Sequence, residues 1–298
     1  MELLLCPCTF NACLFPVNDI WRRVLINEIF IMKEIIKALI TPKGLKNLIL
    51  NYPIFMRALK VKLFYSVNFY GSIGTTKTEY QGYIEEIKED EINDYLENEL
   101  KIFSHIRGKT VRGYEYSSGA ISKRHGHNLY AMIRTVKPDR TIETGTANGY
   151  STSFILKALE KNDRGILYTI DYPEVEGKEY PPDDFYKEKG GAVIPKGRQS
   201  GWLVPDALRE RCKLFIGRSQ DILPQLFKTV GEIDIFFHDS EHTYKAMLFE
   251  FETAWPYLRP GGILLAHDVN WNNAFTDFAK KVLRTPFFID GSLGFLIK

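Results

Sequence analysis

Between Asp139 and Leu159 the chain reads as strand, glycine loop and helix in immediate succession, and this stretch restricts the fold more than any other. Thr141 to Thr144 is a short β-branched run with one acid, Glu143, and such side chains suit an extended backbone. Gly145 to Gly149 are turn-formers, and from Ser151 to Leu159 apolar residues recur at helical spacing at Phe154, Ile155, Ala158 and Leu159. Glycine lets the backbone approach a ligand that a Cβ would hold off. The helix that follows offers free N–H groups at its N-terminus. Together these are the start of a nucleotide-binding α/β sheet. The dinucleotide pattern Gly-x-Gly-x-x-Gly is not met, because Ala147 stands at the middle glycine and Tyr150 at the third. The pattern present is Glu-x-Gly-x-Ala-x-Gly, Glu143 to Gly149, which could also be an ordinary structural turn.

The chain downstream favours the sheet. Strands are expected at 165–170, ending in Asp171, at 211–217, at 233–238, ending in Asp239, and at 262–266, ending in His267-Asp268. Helices are expected at 221–230, 241–257 and 272–283, and an Asp290-Gly291 turn joins two closing strands at 286–290 and 292–297. This alternation predicts a mostly parallel sheet with helices on both faces and one antiparallel strand at the C-terminal end. From 172 to 207 the alternation stops. Prolines at 173, 181, 182, 195 and 205 with Gly190, Gly191, Gly197 and Gly201 mark a long insertion, either a functional lid or a disordered excursion.

Upstream, two helices are expected at 85–106 and 124–136, with an irregular stretch at 63–82 and a polar loop at 109–122. Residues 33–62 carry Lys33, Lys37, Lys43, Lys46, Arg57, Lys60 and Lys62 against Glu34, interleaved with apolar residues. They read as a helical extension packed on the domain, with weak contact to a membrane surface as the alternative. The domain plan is therefore 1–110, a mostly helical extension, and 111–298, the α/β domain. Met32, where regular patterning begins, is the expected true start. A net charge of +2 argues against nucleic acid as a partner. Glu28, Lys33, Glu34 and Lys37 exclude a membrane span from the apolar run 24–40. Cys6, Cys8, Cys13 and Cys212 read as reduced thiols of a cytoplasmic protein.

Ligands of such a sheet collect at the carboxyl ends of the strands. Those ends read Glu143, Asp171, Gly217-Arg218-Ser219-Gln220, Asp239 and His267-Asp268. Asp171 follows the glycine loop at a distance that suits a carboxylate accepting both hydroxyls of a ribose; a strand-end cap is the alternative. Asp239, His242 and Asp268 bring two carboxylates and an imidazole to one edge. Oxygen-rich clusters suit Mg²⁺ or another divalent cation, and His242 could act as general base toward a hydroxyl. The alternative is two helix caps and a packed histidine.

The run from Glu143 to Phe275 resembles the class I S-adenosylmethionine (SAM) methyltransferases, in particular the small-molecule Methyltransferase-24 family with its macrocin-type sugar O-methyltransferases and cephalosporin-hydroxylase-like proteins. The resemblance rests on Glu143-x-Gly145-x-Ala147-x-Gly149, on Asp239-Ser240-x-His242, and on His267-Asp268 after Gly261-Gly262. Gly201-Trp-Leu-Val-Pro205 and Trp271-Asn-Asn-Ala-Phe275 are similar to stretches in uncharacterised members. It implies a Rossmann-like seven-stranded sheet. It implies SAM held by Glu143, Gly145, Ala147, Gly149, Asp171, Ser219, Gln220 and Asp239, and a divalent cation on Asp239, His267 and Asp268. Asp239 and His242 would be catalytic. His267 departs from the acid of those relatives and shifts preference from Mg²⁺ toward Mn²⁺, Fe²⁺ or Zn²⁺.

The function expected is methylation of a hydroxyl on a small molecule or sugar. Two alternatives stay open: a metal-independent N-methyltransferase, and a non-catalytic nucleotide-binding or membrane-surface protein. The acceptor, and whether the protein forms a homo-oligomer, are not legible in the chain.

Overall fold

The computed structural model describes residues 69–105, 110–111, 114–115, 118–179, 193–289 and 291–298. The chain divides into two compact units, Met1–Phe55 and Met56–Lys298, and the described residues all belong to the second. The readings of Met32, of the basic stretch 33–62 and of Cys6, Cys8 and Cys13 lie outside the described residues.

A seven-stranded sheet forms the centre. Its strands are β3 (Arg140–Thr144), β4 (Ile166–Asp171), β7 (Cys212–Ile216), β8 (Ile233–His238), β9 (Leu258–Ala266), β10 (Phe287–Phe288) and β11 (Gly294–Ile297), in the order β10-β11-β9-β8-β3-β4-β7. The five central and edge strands from β9 to β7 run parallel, and β11 pairs antiparallel with both β9 and β10. This is the expected Rossmann-like sheet with its antiparallel C-terminal strand.

Side chains alternate across the strands by period two. Ile235, Phe237, Ile263 and Leu265 face one apolar cluster. Ile142, Phe236 and Leu264 face the other. Helices cover both faces. On the first lie α1 (Lys77–Lys88), α2 (Ile92–Leu100), α3 (Lys123–Val136) and α4 (Tyr150–Lys161), through Ile87, Leu96, Leu129, Tyr130 and Phe154. On the second lie α5 (Ser219–Val230), α6 (Tyr244–Ala254) and α7 (Ala274–Lys281), through Phe227, Met247, Phe251, Phe275 and Phe278. Each fully buried phenylalanine contributes about 1.5–3 kcal/mol of apolar transfer.

Several expected boundaries are corrected. Residues 77–82, read as irregular, begin α1: Thr76 accepts from the Glu79 N–H while Glu79 accepts from the Thr76 N–H, a reciprocal cap. The single helix expected at 85–106 is broken. Asp90 accepts the Ile92 N–H, and the Asn93 amide donates to the Ile87 and Asp90 carbonyls, so polar side chains end one helix and start the next. The polar loop at 109–122 contains a short antiparallel pair, β1 (Thr110–Val111) with β2 (Tyr114–Glu115). The helix expected at 241–257 starts only at Tyr244, because Thr243 caps it by accepting the Ala246 N–H. Glu241 and His242 therefore sit in the loop between β8 and α6. In the insertion, β5 (Glu174–Val175) pairs in parallel with β6 (Val193–Ile194), and residues 199–204 turn back over the glycine loop.

Candidate functional site

Register decides what meets at the sheet edge. Thr144, His238 and Ala266 are side by side on β3, β8 and β9. The next residues, Gly145, Asp239 and His267, leave the sheet together, with the Asp239 N–H on the Thr144 carbonyl and the His267 N–H on the His238 carbonyl. Gly145 has φ +94, and a Cβ there would lie 2.1 Å from the Asp239 carbonyl oxygen. No other residue fits that left-handed, crowded position.

Glu143 is fully buried and faces inward. Its carboxylate accepts the hydroxyls of Ser151, Thr152 and Thr169, each at 2.7 Å. Burial raises its pKa to about 7, against the lowering effect of the three hydroxyls. Its oxygens tie β3 to the first turn of α4 and to β4.

Asp171 closes β4 and is also buried. One oxygen accepts the Ala147 N–H at 3.1 Å and the other accepts the Ser200 hydroxyl at 2.5 Å. Burial pushes its pKa up while these two bonds pull it down. Ser200 belongs to a strap whose backbone is bonded to the glycine loop, Gly201 N–H to the Ala147 carbonyl and Leu203 N–H to the Asn148 carbonyl. The Trp202 indole N–H donates to Asn148 Oδ1 at 2.5 Å. Ala147 takes φ +44, a left-handed turn residue, and Gly149 (φ +94) lies against Gly201. Sequence reasoning missed Ser200 and Trp202 as partners of this loop; Gly201-Trp-Leu-Val-Pro was the signal. Ser219, half-buried, and Gln220, exposed, open α5 and do not touch Asp171 by any hydrogen bond the structure gives.

Beside this lies a histidine-rich cluster. His267 Nδ1 is 3.0 Å from Asp239 Oδ1 and 3.5 Å from Asp268 Oδ1. His242 Nε2 is 3.5 Å from Asp268 Oδ2 and 3.8 Å from Asp239 Oδ1. Asp268 takes φ +52 and accepts the Ser292 hydroxyl at 2.8 Å. The sequence-selected residues Asp239, His242, His267 and Asp268 are thus brought together. Two histidines had not been singled out. His238 ends β8 fully buried, with Nδ1 2.6 Å from Glu250. Glu250, also fully buried, accepts the Thr144 and Ser240 hydroxyls. Burial alone would raise its pKa, but His238 and the Thr144 hydroxyl help hold it below the ordinary range. His125, on α3, meets His267 with Nδ1 3.0 Å from Nε2. A polar residue closing an otherwise apolar buried strand was the available signal for His238.

Burial lowers the pKa of His242, helped by His238 and opposed by Asp239 and Asp268. Its imidazole is therefore neutral near pH 7, able to take a proton or bind a cation. Among the described residues, its Nδ1 and the Nε2 of His238 are buried with no hydrogen-bond partner.

The donor set fits a divalent cation: one atom each of Asp239, His242 and His267 lie within 4.8 Å of one another. Mixed imidazole and carboxylate ligands suit Mn²⁺, Fe²⁺ or Zn²⁺ better than Mg²⁺. Asp171 fits a ribose, since a carboxylate offers about four lone-pair positions and two are taken. An open cleft of about 790 Å³, lined by Tyr95, Glu99, Arg198, Trp202 and Arg209 among others, contains none of the strand-end residues. Among the described residues no helix is long and apolar enough to cross a membrane. Cys212 is a half-buried free thiol whose pKa burial raises to about 11.

Residues 142–269 match a family described as Methyltransferase domain. Over 151 residues the chain is 28% identical to a catechol O-methyltransferase of Niastella koreensis, an alignment that covers 50% of this chain and 58% of that relative. Among solved structures, the SAH-bound methyltransferase PaMTH1 of Podospora anserina aligns over 70% of this chain and 87% of its own, at 15% identity and a TM-score of 0.45. The O-methyltransferase of Bacillus cereus in complex with SAH aligns over 68% and 89%, at 16% identity and a TM-score of 0.44.

Proposed function

We propose, from the match of residues 142–269 to a family described as Methyltransferase domain, that the chain is a SAM-dependent methyltransferase acting on a hydroxyl of a small-molecule acceptor. The observation that carries the reading is the alignment of β3, β8 and β9, which brings a neutral imidazole, His242, beside Asp239, His267 and Asp268 at the edge where the glycine loop turns. SAM bound at this edge supplies an electrophilic methyl group on a sulfonium.

In this reading Asp171 accepts the ribose hydroxyls, next to the Ala147 N–H and the Ser200 hydroxyl that it already holds. Gly145, Ala147 and Gly149 shape the loop beneath the cofactor. Ser219 and Gln220 flank the adenine from the start of α5. Glu143 acts from behind, by fixing the first turn of α4 to the strand through Ser151 and Thr152. Asp239 closes the floor between loop and cluster.

His242 Nε2 takes the proton of the acceptor hydroxyl as its oxygen bonds to the methyl carbon. SAM held by Asp171 and the glycine loop would supply the methyl group, its sulfur leaving as a neutral thioether with the electrons of the broken carbon–sulfur bond. Asp239, His267 and Asp268 would hold a cation, which would supply a Lewis acid easing loss of that proton. The relative's name, catechol O-methyltransferase, supports an acceptor with neighbouring hydroxyls; a sugar diol presents the same pair.

A second reading has its own observation, since His242 lies within ligand reach together with Asp239 and His267. His242→Ala separates the two. A base leaves cation affinity unchanged and lowers turnover, whereas a ligand loses both. The parent proposal is tested by titration calorimetry with SAM, followed by turnover on catechol and on sugar diols with and without EDTA. Absence of SAM binding overturns it in favour of a non-catalytic protein. Turnover that EDTA leaves unchanged removes the cation from it.

A further inference from the structure

His267 presents its two nitrogens to two different partners. Nδ1 lies 3.0 Å from Asp239 Oδ1, and Nε2 lies 3.0 Å from Nδ1 of His125. The two rings stand nearly edge to face, 70° apart with centroids at 4.9 Å. A contact of 3.0 Å between imidazole nitrogens needs one proton between them.

That requirement couples the two rings. When His125 donates from Nδ1, His267 accepts at Nε2 and carries its proton on Nδ1, on the side of Asp239. When His267 donates from Nε2, His125 accepts at Nδ1, and the Nδ1 lone pair of His267 faces the Asp239 carboxylate. Two lone pairs at 3.0 Å repel unless a cation lies between them. The first arrangement leaves His267 no lone pair for a cation, and the second suits one shared by Asp239 and His267.

We propose that His125 is a positioning residue for the cation site, holding the far nitrogen of His267 so that its Nδ1 lone pair points at the cation shared with Asp239. A ligating imidazole whose other nitrogen is held in this way keeps its tautomer and ring angle, and loss of such a partner costs about 10- to 100-fold in metal affinity. The inference rests on the cation reading above. It adds a residue from α3, 142 positions away in sequence from His267.

The test measures Mn²⁺ and Zn²⁺ affinity by calorimetry on the full chain, with visible absorption of bound Co²⁺ reporting imidazole ligation. His125→Phe keeps a ring in this buried position and removes the hydrogen-bond partner. His125→Asn keeps, at the place of Nδ1, an amide that can present either oxygen or N–H. Expected are a fall of about 10- to 100-fold for His125→Phe and recovery to within about threefold of the parent for His125→Asn, with thermal midpoints confirming that both fold. If the parent binds the ion and His125→Phe binds it within about twofold as well, the inference is overturned while the cation reading stands. If the parent itself binds no divalent ion, both fall, and the assignment of His242 as base is left to its own variant. If His125→Phe fails to fold, His125→Leu takes its place: a fall of about 10-fold or more with recovery in His125→Asn supports the role, and affinity within about twofold of the parent overturns it.

Discussion

The glycine-loop half of the sheet edge and its histidine half are built from similar residue types but are satisfied to different degrees. Around the loop each key polar group has found a partner: Glu143 holds three hydroxyls, Asp171 holds a backbone N–H and a hydroxyl, and Asn148 holds Trp202. In the cluster, further along the same edge, His238 Nε2 and His242 Nδ1 are buried with no hydrogen-bond partner among the described residues. An unmatched buried polar atom costs roughly 1–3 kcal/mol, so a chain keeps one where chemistry needs it. The loop half is largely satisfied within the fold, while among the described residues the histidine half leaves two buried ring nitrogens unmatched.

The variant expected to separate the halves most strongly is His242→Ala. Turnover should fall by about two to four decades, the range for a lost general base, while SAM affinity measured by calorimetry stays at the parental value. Full turnover in this variant would remove His242 as the base.

Asp171→Ala should act on the other half, with SAM affinity falling about 10- to 100-fold as charge-assisted bonds to the ribose hydroxyls are lost. The Ala147 N–H and Ser200 hydroxyl lose their acceptor as well, so chemical denaturation should show a loss of roughly 1–3 kcal/mol. Unchanged SAM affinity would make Asp171 purely a clasp for the strap.

Glu143 sharpens the contrast through pH. Its folded pKa of about 7 stands above the ordinary 4.5, so between those values the folded protein holds more protons than the unfolded chain. Stability from this group is complete below about pH 4.5 and falls as pH rises toward 7, on the order of 1 kcal/mol per pH unit at the steepest. Denaturant midpoints across that window should show the fall in the parent and a shallower one in Glu143→Gln. Equal slopes would contradict the assignment.

The smallest effect is expected from Ser200→Ala. Removing the hydroxyl that occupies one Asp171 oxygen frees that oxygen for the ribose, and SAM affinity should stay level or rise by a few-fold, about one hydrogen bond. A tenfold loss would instead make Ser200 part of the cofactor site.

Much of this was legible in residue order. The strand, glycine loop and helix at 140–161, the alternation behind them and the closing antiparallel strands follow from periodicity and turn residues, which report local backbone direction. Asp171, Asp239, His267 and Asp268 could be named because a residue that ends a parallel strand is carried to the carboxyl edge by the chain itself. The start of α1 is legible too, in the capping pair Thr76-x-x-Glu79. The break between α1 and α2 depended on Asp90 and Asn93 side chains bonding to nearby backbone, which apolar spacing does not register.

Only the tertiary structure decided which polar atoms are bonded to each other. Ser200 reaches Asp171 across 29 positions and His125 reaches His267 across 142. No period in the chain encodes such a pair. It exists because the insertion folds back on the glycine loop and because α3 packs beside β9's end, and the partner of a buried donor is set by what the packed elements bring within about 3 Å. The chain by itself specified a sheet with acids and histidines at its edge, and three-dimensional packing determined which of them were satisfied and which stayed available for chemistry.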